Sequence, residues 1–465
     1  MTSLSGSFQL SDAQEAVCRK VVARLTPVLL LSYLFCSMDR FNISFAQLQL
    51  HESLKFSDSI YGLGASLFFV TYVLFEVPAS MLLKRYGARR LFCTIMAGWG
   101  LCSSAMLFVR TPHEFYAARL LLGVLEAGFY PGVIYYLSSW LPQAHRSKAI
   151  AIFASGIVIA GVVVGPLSGW IMTAFDGAHG LAGWQWLFLL EGMPSVVMAF
   201  ACAARLSDSP QTAAWLSRDE TATLETCLAA DRASSSMRLG GDSVGSLLRE
   251  PKVYLFALVF FCATSGIYAL NFWVPSIIKG FGMKDPLHIG LYSVIPWGSA
   301  ALATILIARH SDRTGERRWH FAGTAFAGAC GLALSAIPGT PMWLALGFLS
   351  VGAIGVSATL PVFWSMPSAA IAPSLVAGGL AFINSMGASS GIVAPYAIGL
   401  MKEATGSLTS GLYLLAAVLC MGGLVLLAIV PRRPASHVRP GQSSQHSQSG
   451  QHDAPVVAHA RTVDR

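Results

Sequence analysis

Apolar residues run along this 465-residue chain in long blocks separated by short polar stretches. Twelve such blocks can be drawn, over 25–47, 58–83, 91–110, 113–139, 147–172, 184–204, 252–274, 287–308, 319–338, 342–366, 375–400 and 408–430. Each is long enough for a helix rising 1.5 Å per residue to cross a hydrocarbon core of about 30 Å. One polar stretch, 205–251, is far longer than the rest and separates six blocks from six. The pattern predicts an all-α membrane protein of twelve transmembrane helices in two pseudo-symmetric six-helix bundles. Its parts are a cytoplasmic segment 1–24, a bundle 25–204, a cytoplasmic middle loop 205–251, a bundle 252–430 and a polar tail 431–465. The tail is rich in Ser, Gln, His and Gly and is expected to be disordered.

Composition sharpens this picture. Of all residues 54% are hydrophobic and 12% are charged, against about 25% charged in ordinary soluble proteins. A disordered chain is excluded and a soluble enzyme is disfavoured. The net charge is +8, from 31 Lys and Arg against 23 Asp and Glu. With both termini on one side, that side carries 24 of the 31 cations and the other side five, while Arg40 and Arg119 fall inside apolar blocks. Such a split predicts cytoplasmic termini and requires an even number of spans. The basic excess is thus a topology signal, not a nucleic-acid surface, which would need a clustered basic face. The expected setting is the cell inner membrane, with the lipid bilayer as surroundings, no nucleic-acid partner and a monomeric chain. The first 20 residues are polar and do not read as a cleavable signal peptide. The nine cysteines form no C-x-x-C pair and no Cys/His cluster. No nucleophile–base or metal cluster appears, so neither enzyme activity nor a cofactor is expected.

The two halves repeat one another. The loop after the second block reads LLKRYGARR (82–90), and the loop after the eighth reads ARHSDRTGERR (308–318). Aligning Lys84 with Asp312 also aligns Gly87 with Gly315, at an offset of 228. Pro131 and Pro361 lie 230 apart, and Pro166 and Pro395 lie 229 apart. Three anchors at nearly one offset imply duplication of a six-helix unit, as in transporters with a midplane site between two halves.

These residues resemble the major facilitator superfamily. DRTG at 312–315 is similar to the Asp-Arg-x-Gly core of its short cytoplasmic loop motif. The resemblance implies a latch in which an Asp–Arg pair pins helix ends, with Arg85, Gly87, Asp312, Arg313 and Gly315 in it. The first copy departs, since Lys84 stands where the family has Asp. SYLFCSMDRFNISFAQ (32–47), VTYVLFEVPASMLLKRYGARR (70–90), RLLLGVLEAGFYPGVIYYLSSWLP (119–142), GWQWLFLLEGMPS (183–195) and INSMGASSGIVAP (383–395) further resemble the anion:cation symporter family. That branch includes importers of sugar acids, tartrate, phthalate, hydroxyphenylacetate and nicotinate. The likeness covers about 25–430. It also implies that the first and fourth helices line the central cavity, and that GVVVGPLSG (161–169) packs against the other half.

An ionisable group at mid-bilayer costs at least about 2.5–3.5 kcal/mol, so it is a functional candidate by default. Asp39, Arg40, Glu76, Arg119, Glu126 and Glu191 are such groups, and all fall in the first half. Asp39 and Glu126 are expected to carry protons. Arg40 offers a planar fork to a substrate carboxylate, pointing about 100° away from Asp39. Arg119 lies seven residues before Glu126, on the same helix face, and is expected to pair with an acid or to touch substrate. A plain Asp39–Arg119 or Arg40–Glu126 bridge holding helices together is the alternative. Glu76 and Glu191 are assigned gating or structural roles. Tyr72, Asn271, Trp364, Ser365 and Asn384 are expected to complete the substrate site. Pro131, Pro166, Pro275, Pro296, Pro361 and Pro395 are expected to kink their helices.

The sequence therefore predicts a secondary active transporter that imports a small organic anion, an aromatic or dicarboxylic acid among the candidates. It would act by proton symport and alternating access, with the proton as coupling ion. Proton-driven efflux and a non-transporting nutrient sensor are the alternatives.

Overall fold

The computed structural model describes residues 11–236, 249–372 and 375–430; the tail falls outside them. Among the described residues every regular element is helical. In hydrocarbon each backbone N–H and C=O must be satisfied within its own segment, which the helix achieves. The first half contains α1 (Asp12–Phe41), α2 (Ile43–Ser53), α3 (Asp58–Tyr86), α4 (Ala88–Ala105), α5 (Pro112–Glu126), α6 (Phe129–Trp140), α7 (Gln143–Ala174) and α8 (Gly183–Arg205). α9 (Arg218–Ser236) lies in the middle loop. The second half contains α10 (Pro251–Gly280), α11 (Pro286–Thr314), α12 (Arg318–Ser335), α13 (Met342–Phe363), α14 (Pro367–Ala370), α15 (Val376–Thr405) and α16 (Thr409–Ile429).

Local sequence sets many of these boundaries. Ser11 with Gln14 and Thr111 with Glu114 form capping boxes, and Pro112, Pro251 and Pro286 occupy first helical positions, where a missing N–H costs nothing. Gly87 and Gly315, the paired loop glycines, have φ of 83° and 66°, a region that side chains with a Cβ avoid. Three membrane crossings are each built from two helices. α1 passes into α2 at Asn42, α5 breaks before α6 at Ala127 and Gly128, and α13 breaks before α14 at Trp364–Met366. Pro131 and Pro361 lie close to the last two breaks. Pro166, Pro275, Pro296 and Pro395 are inside continuous helices. α1 begins well before its apolar block, and α9 packs on that extension, with Lys20 Nζ 2.7 Å from Glu220 Oε1.

The helix neighbours reproduce the duplication. In the first half α1 packs on α7 and α8, α3 on α5, and α4 on α8. In the second half α10 packs on α15 and α16, α11 on α13, and α12 on α16. Each pair maps onto its counterpart when α1/α2 is matched with α10, and α8 with α16. The contacts between halves obey the same symmetry, α3 with α15 and α7 with α11.

Those inter-half contacts gather at the end away from the termini. A Cβ on Gly165 would lie 2.6 Å from Gly290 O, and one on Gly399 would lie 2.5 Å from Asp58 O. The glycine-rich face of α7 thus does pack against the other half. Tyr61 Oη donates to Phe272 O at 2.7 Å, and Trp273 Nε1 to Pro395 O at 3.2 Å. Among the described residues no comparable packing joins α5 and α6 to α13 and α14. The close contacts between the halves among the described residues therefore lie at one end, which they seal.

Candidate functional site

α1 presents two ionisable side chains to two different surroundings. Asp39 is buried and turns toward α4 and α8, where it accepts from Ser103 Oγ at 3.0 Å and Ser195 Oγ at 2.8 Å. Arg40 turns toward α3 and α5. Its Nε and Nη2 both donate to Glu126 Oε2, at 3.2 and 2.8 Å. Cys36 Sγ reaches the same oxygen at 3.5 Å. Of the two bridges the sequence allowed, Arg40–Glu126 is formed. No ion pair joins Asp39 to Arg119 among the described residues. The Arg40 side chain is 13% exposed and Glu126 only 1%, so the arginine is the less buried member of the pair.

Aromatic rings hold the two arginines. The Arg40 guanidinium lies 5.2 Å from the Phe68 ring centroid and 5.1 Å from that of Tyr72. Arg119 lies 4.9 Å from the same Phe68 ring. Such cation–π contacts strengthen as water is excluded. Arg119 is buried, its Nε donates to Gly64 O at 3.3 Å, and its Nη2 has no partner. The acid expected beside it is not bonded to it. Phe68 is the residue the sequence reading missed. An aromatic in an apolar block carries no signal until its two cationic neighbours are known. The Phe69 and Tyr268 rings, 4.6 Å apart, join the halves beside this cluster.

The remaining candidates are dispersed. Asn271 is half-buried and lines a cleft with Phe41, Ser44, Gly165, Ser293 and Trp297. Trp364 stands at the α13 break against Phe260, with ring centroids 4.7 Å apart. Ser365 Oγ donates to its own helix at Val362 O, and Asn384 is exposed on α15. None of these touches the Arg40–Glu126 pair. Glu76 is half-buried, and among the described residues no hydrogen bond or ion pair holds its carboxylate. Glu191 is buried and accepts from Ser168 Oγ at 2.7 Å.

The two motif loops are latched differently. In the second, Asp312 Oδ1 lies 2.6 Å from Arg317 Nη2, so Arg317 rather than the exposed Arg313 is the aspartate's partner. In the first, Arg85 stacks on Tyr86 at 5.5 Å. The carboxylate that Lys84 does not supply comes from Asp208, which accepts from Arg89 N at 2.9 Å. A Cβ on Gly87 would come within 2.5 Å of that same Asp208 oxygen.

The model of the Major Facilitator Superfamily matches residues 29–395. The chain belongs to this superfamily. A protein of Agrobacterium vitis named as a tartrate transporter is 41% identical over 424 residues, covering 91% of this chain and 97% of that one. The metabolite transport protein NicT of Pseudomonas putida is 38% identical, covering 90% and 96%. A quinolone resistance transporter of Acinetobacter baumannii is also 38% identical, covering 90% and 96%. Among solved structures, a bacterial homologue of the human lysosomal transporter Spinster, inward-facing, superposes with a TM-score of 0.70 at 15% identity, covering 88% and 95%. This major facilitator is therefore a multi-pass membrane transporter and not an enzyme.

Proposed function

We propose that this transporter imports a small organic carboxylate by proton symport across the cell inner membrane, with both termini cytoplasmic. The observation that carries the proposal is the Arg40–Glu126 pair, whose cationic member is the more exposed of the two. A proton arriving at Glu126 removes the charge that holds Arg40. The freed guanidinium then offers two N–H groups to a substrate carboxylate, a charge-assisted contact of matched geometry. When the bundles 25–204 and 252–430 rock to the parted arrangement, higher internal pH takes the proton, and Glu126 displaces the substrate. Asp39 carries a further proton. The bound cargo is the anion and the proton, without any other cofactor. The aromatic surroundings of Arg40 suit a planar or short acid, and a relative named for tartrate supports a dicarboxylate.

Purified wild-type protein in liposomes should accumulate tartrate or another acid of a carboxylate panel when the outside is made acidic. Glu126→Gln should exchange substrate across the membrane but not accumulate it. Accumulation by Glu126→Gln at the wild-type level would remove Glu126 from the coupling. The relative named for quinolone resistance supports a second reading, efflux. Substrate taken up from the medium by inverted vesicles with an acidic lumen, protons leaving as it enters, with none entering right-side-out vesicles uphill, would favour it.

A further inference from the structure

Asp39 turns toward α4 and α8, and α8 carries a second buried acid, Glu191. Glu191 and Ser195 are one turn apart on α8, as Asp39 and Asn42 are on α1. Ser195 donates to Asp39 at 2.8 Å. One turn nearer the sealed end, the Asn42 side chain sits beside Glu191 without forming a good hydrogen bond. The two helices thus share a buried ladder with two rungs. Its polar atoms are unusually short of partners. Both amide atoms of Asn42, Glu191 Oε2 and Ser104 Oγ are buried with none. Among the described residues the one well-formed hydrogen bond to Glu191 comes from Ser168 of α7, at 2.7 Å.

The charge balance around Glu191 is one-sided. From α7 it meets Ser168, and the neighbouring Gly192 packs against Ser104 of α4. From α1 it meets Asn42 and, one rung away, Asp39. Asp39 is the one charged side chain acting on it, and no Lys, Arg or His reaches it among the described residues. A carboxylate with a single neutral donor is far costlier to bury than a carboxylic acid. Two buried acids one helix turn apart along the α1–α8 contact, with Ser195 on one and Ser168 on the other, are costly to ionise together, which favours a proton on at least one of them. Nothing in helix packing requires an acid here, because a glutamine would accept from Ser168 equally well.

We infer that Glu191 is a proton-holding residue of the transport cycle, coupled to Asp39 across the Ser195–Asn42 ladder. This rests on the proton-symport reading above. The transfer is balanced: one proton leaves the Glu191 carboxyl and one is taken up by the Asp39 carboxylate, with no other bond changed. The ladder lies on the sealed-end side of Asp39, which gives the proton a route separate from the substrate cavity.

Infrared titration of the full chain in lipid tests this without any substrate. The wild type should show a protonated-carboxyl band that Glu191→Gln removes, and the Asp39 band should titrate at a different pH in the variant. A variant spectrum superimposable on the wild type at every pH would overturn the inference. In liposomes with tartrate as probe, Glu191→Gln should keep exchange while proton-driven accumulation falls about tenfold or more. Undiminished accumulation would also overturn it. Absence of proton-driven accumulation in the wild type, with the infrared band present, would instead sink the symport reading. If Glu191→Gln does not fold, Asn42→Ala leaves both acids in place. A moved titration midpoint then supports the ladder, and an unmoved one overturns it.

Discussion

Arg40 sets both Nε and Nη2 on one oxygen of Glu126, at 3.2 and 2.8 Å, and remains the more exposed of the two. Two donors on one atom use the geometry of a fork, which an ammonium does not have. Arg40→Lys should keep the charge but lose the second contact to a carboxylate. A charge-assisted hydrogen bond contributes about 1.5–3 kcal/mol, so substrate affinity should fall about 10- to 100-fold. Binding calorimetry with an acid the wild type carries will read this directly. Unchanged affinity would show that the substrate carboxylate binds elsewhere.

At the sealed end, Lys402 Nζ of α15 lies 2.8 Å from Asp58 Oδ1 of α3. The same oxygen accepts from Gln47 Nε2 at 3.0 Å, and Gln47 in turn accepts from Ser276 of α10. Glu403 adds a contact to Ser59 N at 3.0 Å. This network ties the two halves together only in the arrangement seen here. Asp58→Asn should weaken it by about 1 kcal/mol, the upper range for a partly exposed pair. A two-state equilibrium then shifts about fivefold toward the form open at that end. Spin labels on Lys55→Cys and Ser407→Cys should report a larger long-distance population. An unshifted distance distribution would mean that the apolar contacts alone hold the seal.

Much of the fold was legible in the sequence because lipid leaves one local solution, and the block pattern marks it. The loop glycines Gly87 and Gly315 were legible as a pair because a positive φ selects glycine at both. The embedded charges were legible because hydrocarbon makes each one costly. What each charge touches was not. Helical periodicity gives the direction of Arg40 relative to Asp39 but does not say which helices lie on either side. So Phe68 between two arginines, and Ser103 and Ser195 on Asp39, emerge only from packing. Asp208 is a similar case. It latches the first motif loop from about 120 residues away in sequence, at Arg89 N, and no local pattern announces it. Lys402 and Asp58 read as helix-end charges until the halves are brought together.

Where α7 meets α11 the halves touch backbone to backbone. A Cβ on Gly290 would stand 2.1 Å from Gly165 O, and one on Gly165 2.6 Å from Gly290 O. No flexible side chain can yield there. Gly290→Ala should cost about 1–3 kcal/mol as an overpacked contact, spent by parting α7 and α11 at the sealed end. The spin-labelled pair above should lengthen, and transport should slow. Gly161 lies on the same helix with open space around its Cα, so Gly161→Ala should leave both readouts unchanged. If the two alanines behave alike, the effect comes from helix propensity rather than from the contact.

The second motif loop should loosen in acid. Glu316 accepts from Trp319 N at 2.7 Å and from His320 N at 3.2 Å, capping the start of α12. Its Oε2 also meets His320 Nδ1 at 2.9 Å, and His320 Nε2 meets His310 Nδ1 at 2.7 Å. Partial burial pushes the Glu316 carboxyl up, but these N–H groups and the His320 ring pull it down further, to a net value below the ordinary 4.5. A carboxyl lowered by folding stabilises the loop above its ordinary value and loses that contribution as pH falls through the lowered one. Relative to the intrinsic exchange rate at each pH, the amides of Trp319 and His320 should therefore exchange slowly at neutral pH and faster below about pH 4.5. Glu316→Ala should give the fast behaviour at neutral pH, by about 1 kcal/mol for a lost cap, or about fivefold in exchange. Hydrogen exchange on the two proteins across this range will read both effects. Protection in Glu316→Ala equal to the wild type would assign the latch to the Asp312–Arg317 pair alone.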